Sequence, residues 1–281
     1  MGTRSEKPKV IERIFLQRWN RETNSLSNAM VTNSDIVEAI NWSNTHHGTT
    51  LSEKNPANFI KDVIRGHGAS SMWPTLLKEN QWGAVQVTGN GNVFQFVKYE
   101  EGQSEPFPTK FGYHQDVTRH RIQSVSMPLA TKALGRDDET YLIQVAVRLA
   151  VVETHFALFS PIAVLELNHL QIGIKLRLCE VDALFSARYR DKDGKLKDLI
   201  ITAEAKKKRQ RILEEQIVQQ VRAAFNETSV DTVVPIALTS VENGIYLAEF
   251  EAVSRSRINA FDKLVLQNEV FYELFPHVKG I

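Results

Sequence analysis

Residues 179–206 read CEVDALFSARYRDKDGKLKDLIITAEAK. Two runs inside this stretch are otherwise apolar: Cys179-Glu180-Val181-Asp182-Ala183-Leu184-Phe185 and Ile201-Thr202-Ala203-Glu204-Ala205-Lys206. Each reads as a buried strand, and each carries acids. A charge in such a place is expensive to desolvate unless it is paired or bound to a cation. Between the runs, Asp191–Gly194 supplies local side-chain acceptors and a permissive glycine, which predicts a turn. Residues two apart on a strand share a face, so Glu204 and Lys206 point the same way. If the two strands fold back through that turn, the Asp182 carboxylate converges on Glu204 and Lys206 stands beside both.

Outward from this hairpin, the periodicity predicts a mixed α/β domain from about Asp116 onward. Asp137–Ser160 reads as one long helix, apolar on most sides. Leu170–Arg190 reads as strand, with Ile172, Ile174, Leu176 and Leu178 alternating against polar neighbours. Asp198–Ala205 is the next strand. Arg209–Phe225 is predicted helical, with Leu213, Ile217, Val221, Ala224 and Phe225 on one face. Val230–Thr239 and Ile245–Ala252 are further strands, and Ile258–Phe275 is predicted to be a closing amphipathic helix.

The other half is built differently. A helix is expected around Val10–Trp19. Ser34 or Asp35 can cap a short helix over Ile36–Ser43, and Asn55-Pro56 starts a second that carries Phe59, Ile60, Val63 and Ile64. A third begins at Ser70 or Ser71 with Pro74 and ends near Lys78. Gly83–Val87 and Asn92–Tyr99 then flank Gly89-Asn90-Gly91, a strong hairpin signal. Three short helices followed by a hairpin is the order of a winged helix-turn-helix. Gly102, Pro106 and Pro108 mark Glu100–Phe111 as a linker. The domains expected are therefore 1–107, winged-helix-like, and 108–281.

Two carboxylates with open coordination positions suit Mg²⁺, which prefers oxygen ligands and keeps several waters. A metal so held acidifies water, and a lysine beside it stabilises a crowded phosphate electrostatically. Here the chain resembles the PD-(D/E)XK nuclease superfamily and, within it, type II restriction endonucleases. The likeness is carried by Asp182, then Glu204-Ala205-Lys206, on the second and third strands of a unit spanning roughly Asp137–Val241. One departure is that Val181, not proline, precedes Asp182, although that proline is often missing in the family. The resemblance implies metal ligation by Asp182 and Glu204, a further ligand from the Ala205 carbonyl, and a water held by Lys206. It also implies an additional acid from the preceding helix, for which Glu153 is the candidate. Duplex DNA is the implied substrate, a homodimer the implied assembly, and a bacterial or archaeal cytoplasm the implied location.

Other polar residues have competing readings. Glu180 shares a strand face with Asp182 and is either a second acidic ligand or a surface charge paired with a neighbouring-strand lysine. Lys207 and Lys208, in a basic run with Arg209 and Arg211, suit phosphate steering. Gln216, and less so Gln219, lie on the polar side of the helix after Lys206, near an expected DNA backbone. In the first domain, Lys78, Gln81 and Gln86 are candidates to face DNA from a recognition helix and wing. Trp73 and Trp82 read as core, and His155 as a packed histidine.

Composition sets the bounds. A chain that is 42% hydrophobic and 24% charged can bury a proper core. Its formal net charge of +1 means that polyanion binding must rest on local clusters. The single cysteine excludes an intramolecular disulfide and a cysteine-rich zinc site, and fits a reducing compartment. Met1–Val10 has no signal-peptide core. Tyr141–Phe159 is interrupted by Gln144, Arg148, Glu153 and His155, which argues against a membrane span. No phosphate-cradling glycine loop or nucleophile elbow points to an α/β small-molecule enzyme or an organic cofactor. The rivals to a sequence-specific endonuclease are a non-catalytic DNA-binding protein on a degenerate nuclease fold and a structure-specific repair or defence nuclease.

Overall fold

The structure, a computed structural model, describes residues 6–65, 69–87, 90–107, 109–176, 179–208 and 210–281. The chain divides into two compact units, Met1–Thr109 and Lys110–Ile281.

The first unit opens with α1 (Lys7–Arg18), whose Val10, Ile11, Ile14 and Phe15 recur at helical spacing and are fully buried. A two-residue ribbon follows, β1 (Trp19–Asn20) against β2 (Ser25–Leu26). It turns at Asn24, whose φ of 44° asparagine tolerates better than most residues. Asn24 Oδ1 accepts from the indoles of half-buried Trp19, at 3.0 Å, and buried Trp82, at 2.8 Å, so one amide ties the two rings together. After β3 (Met30–Thr32) comes α2 (Asn33–His47). Its cap is Thr32, not Ser34 or Asp35. Asp35 answers as the third helical residue, accepting the Thr32 amide to close a capping box.

The second predicted helix is shorter than its pattern. A 3₁₀ turn covers Pro56–Asn58, and α3 (Lys61–Arg65) follows. The third divides into α4 (Ala69–Met72) and α5 (Thr75–Glu79) because Pro74 interrupts it. β4 (Trp82–Gln86) and β5 (Asn92–Lys98) form the predicted hairpin, while Gly89 in its turn lies outside the described residues. β3 adds to the far side of β5, giving the order β3-β5-β4. Phe94, Phe96 and Trp73 pack inside, with Trp73 donating to the Trp82 carbonyl at 2.7 Å.

The second unit is mixed α/β. Its elements are β6 (Thr118–Gln123), α6 (Leu129–Ala133), α7 (Glu139–Arg148), α8 (Val151–Leu158), β7 (Val164–Leu176), β8 (Cys179–Arg190), β9 (Leu196–Lys206), α9 (Glu214–Glu227), β10 (Thr232–Val241), β11 (Gly244–Phe250), β12 (Val253–Ser254) and β13 (Leu266–Phe275). One mixed sheet runs β6-β13-β11-β10-β9-β8-β7, with β12 pairing β10. β7, β8 and β9 are successively antiparallel, whereas β10 lies parallel to β9. A parallel neighbour needs a crossover, and α9 provides it. α7 and α8 bury one face of the sheet, against Ala183, Phe185, Ala203 and Ala205. α9 covers the opposite face with Val221, Ala224 and Phe225, against Leu184 and Ile200. Arg255 closes the end of α9, donating to the carbonyls of Phe225, Thr228 and Val230.

Four expectations are corrected here. Ile258–Phe275 is not a helix: a 3₁₀ turn spans Arg255–Ala260, and β13 pairs with β11 and β6. Asp137–Ser160 is two helices bent by 58°, with Ala150 at the break in the left-handed region, φ 52°. Leu170–Arg190 is two strands of a hairpin that starts as early as Val164. The helix after Lys206 starts at Glu214, not Arg209; Arg209 itself lies outside the described residues. Among the described residues no single helix is long and apolar enough to cross a membrane.

Candidate functional site

The site forms where β8 and β9 part. Their ladder runs from Arg190↔Leu196 to Ala183↔Ala203 and stops. One step further, the same register sets Asp182 opposite Glu204, on the face that α9 covers. In place of another ladder bond, the Asp182 side chain bends across: its Oδ2 accepts from the Ala205 amide at 2.7 Å. Ala205, expected to lend a carbonyl, is seen lending its N–H. Asp182 also lies within hydrogen-bonding reach of Glu204.

Burial and the neighbouring Glu204 push the Asp182 carboxyl up to about 7, against the pull of the Ala205 amide and the Lys206 ammonium. Glu204 is 0% exposed and Lys206 3%. The Lys206 ammonium lies directly on Glu204 Oε1. It also donates to Gln216 Oε1 at 3.3 Å, and Glu139 Oε1 stands 4.0 Å away. Two carboxyl groups and one ammonium thus meet at the end of β9, with Glu204 and Lys206 buried and Asp182 half-buried.

Two further residues belong to this cluster. Gln220, fully buried on α9, donates one amide hydrogen to Glu204 Oε2 and reaches the Glu180 carbonyl at 3.1 Å. A glutamine in a helix reads as an ordinary helix former, so it left no signal beyond its spacing four residues after Gln216. Glu139, in the first turn of α7, is the helical acid nearest Lys206, and an acid there is also what the helix dipole favours. Glu153 was the expected one. It lies on α8, beyond the bend at Ala150, with its carboxyl pushed up by burial. Among the described residues no three or more His, Cys, Asp and Glu side chains gather as a metal-ligand set, so Glu153 is not joined to Asp182 and Glu204.

The remaining candidates scatter. Glu180 is exposed and faces Lys175 across the β7–β8 ladder, which fits the surface-charge reading. Lys207 is half-buried and Lys208 exposed, close in sequence to the cluster. Arg211 is buried instead of projecting outward, and its charge acts on Glu215. Gln219 is exposed, with its carbonyl accepting from Cys179 Sγ at 3.8 Å. In the first unit, Lys78 spends its ammonium on the Ser70 carbonyl at 3.1 Å. Gln81 is exposed at the start of β4, with φ 59°, while Gln86 ends that strand. The length of β4, about 16 Å, separates them.

His155 is sealed in a separate network. Its ring nitrogens meet Tyr272 Oη and Glu249 Oε2, each at 2.9 Å, and Ser160 donates to Glu249 Oε1 at 2.7 Å. His155, Tyr272 and Glu249 are buried and Ser160 is half-buried, so His155 is a packed histidine.

The donor set suits a hard cation that keeps much of its water: carboxylate oxygens, no thiolate and no imidazole. Two buried atoms support the fit. Gln220 Oε1 and Thr202 Oγ1, the latter two residues before Glu204 on the same strand face, have no hydrogen-bond partner. Waters around a cation are the kind of donor such atoms need. Neither a protein-family model, nor a curated protein, nor a solved structure matches the chain.

Proposed function

We propose that the second unit is a Mg²⁺-dependent endonuclease of the PD-(D/E)XK type, cutting phosphodiester bonds in duplex DNA at specific sequences. The observation that carries this reading is the meeting of Asp182, Glu204 and Lys206 at the parting of β8 and β9. Lys206 balances one of the two acids; the other is neutralised either by a proton, as the raised Asp182 carboxyl allows, or by a bound cation, and a cation is what this reading assigns. The chain order supports the reading too: helices, three antiparallel strands, a helix, then a parallel strand is the arrangement the resemblance calls for.

In this reading Asp182 and Glu204 hold Mg²⁺, which when bound neutralises phosphate charge and makes water more acidic. Lys206 presents its ammonium to the phosphate and orients the incoming water. Gln216 steadies Lys206. Lys207 and Lys208 draw the DNA backbone to the site. The first unit serves as the reader: a β3-β5-β4 sheet behind short helices supports a winged-helix-like role. A cytoplasmic location accords with the lone cysteine.

The near-complete burial of Glu204 and Lys206 favours one rival, in which they are a structural ion pair on a DNA-binding protein without activity. A plasmid digest decides between them. The expected result is discrete fragments with Mg²⁺, none with EDTA, and none from a folded Lys206→Ala variant. Intact plasmid at every Mg²⁺ concentration overturns the nuclease reading.

A further inference from the structure

We propose that in the cation-free protein Lys206 occupies the place on Glu204 that a divalent cation takes, and that the ammonium then transfers to a second seat formed by Gln216 and Glu139. The inference rests on the metal reading given above and concerns how the cation gains entry.

Three of the four carboxylate oxygens at the site are engaged by donors of the chain. Asp182 Oδ2 holds the Ala205 amide, Glu204 Oε2 holds Gln220, and Glu204 Oε1 holds Lys206. The fourth, Asp182 Oδ1, takes no backbone, amide or ammonium donor, and the two acids lie within hydrogen-bonding reach of each other. A cation held by these acids would use a lone pair of Glu204, and an ammonium lying on Glu204 Oε1 would repel it, so that one of the two Glu204 donors would have to give way. Gln220 is poorly placed to do so. It is fully buried and pinned by its second bond to the Glu180 carbonyl. Lys206 is well placed: a flexible four-carbon stem carries its charge as a point. Gln216 Oε1 already accepts from it at 3.3 Å, and Glu139, about a third exposed, stands 4.0 Å away. Leaving Glu204 therefore does not strand the ammonium. Unpairing a buried charge outright is a severe cost, and the second seat avoids it.

Gln216 is thus a positioning residue that acts on the cation through Lys206. Because glutamine and leucine are both uncharged, Gln216→Leu separates this role from a plain field effect. The probe is Mn²⁺, titrated by electron paramagnetic resonance in the absence of DNA, with thermal melts in EDTA as the control for folding. Gln216→Leu is expected to weaken Mn²⁺ binding about fivefold, the worth of one lost hydrogen bond. The same substitution in a Lys206→Met background is expected to change nothing. Equal weakening in both backgrounds, or none in the wild type, overturns the proposal.

Should Lys206→Met not fold, a crystal structure of the wild-type protein with Mn²⁺ gives the answer. Lys206 Nζ on Gln216 or Glu139 supports the transfer, and Nζ still on Glu204 Oε1 refutes it. If the wild type binds no Mn²⁺ at all, the metal reading falls and this inference with it. If Mn²⁺ binds and Gln216 does not act through Lys206, only the inference falls.

Discussion

Asp182 takes up its proton at about 7 in the folded chain, against about 3.9 for an unfolded aspartate. Between those values the native state binds more protons than the unfolded state. The stabilising contribution of Asp182 is therefore complete below about 4, declines as pH rises, and levels off above about 7. Urea midpoints measured in EDTA across this range should fall more steeply for the wild type than for Asp182→Asn; parallel curves would show that the carboxyl is not perturbed. The same residue explains what was readable beforehand. Asp182, Glu204 and Lys206 stand out because a charge inside an apolar strand demands a reason, and the structure brings these three together. Gln220 and Glu139 did not stand out, since a glutamine in mid-helix and a glutamate in a first turn each have a sufficient local explanation.

At the scale of elements, failures of the local pattern trace to pairing and to backbone. In β13, Glu269 and Glu273 lie four apart and imitate one face of a helix. Yet Val270, Phe271 and Tyr272 between them are buried from both sides, as a strand flanked by β11 and β6 must be. The bend between α7 and α8 had no glycine or proline to announce it. Ala150, exposed and with φ 52°, takes a conformation that disfavours any Cβ, by roughly 1–2 kcal/mol. Ala150→Gly should therefore raise stability by about 0.5–1 kcal/mol in denaturant titrations, contrary to the usual penalty for glycine beside a helix. A loss of stability would mean that the bend is held against its local preference by nothing that glycine relieves.

For the molecule as a whole, a net charge of +1 means that the proposed DNA binding would rest on a few clustered cations. Binding to a duplex, followed by fluorescence anisotropy in EDTA over increasing salt, should lose about 0.9 from its log–log slope in Lys208→Ala. Lys78→Ala should leave the slope unchanged, because that ammonium is committed to a carbonyl of its own unit. Retention of the full slope by Lys208→Ala would remove this residue from the interface. Two units and a mixed α/β second half were legible from turns, prolines and alternation. The closure of the large sheet was not. β6 and β13 pair in parallel across some 150 positions of chain, and nothing near Thr118 hints at a partner near Val270.

That pairing bears on the order in which a growing polypeptide can finish folding. β13 is the final strand of its sheet to leave the ribosome, yet it sits inside, with β6 beyond it. Until it emerges, β11 presents an open flank and β6, made long before, has nothing to join. The nascent second unit thus stays unsealed through nearly its whole synthesis, and its late stage is the interval in which a chaperone would find the most to hold.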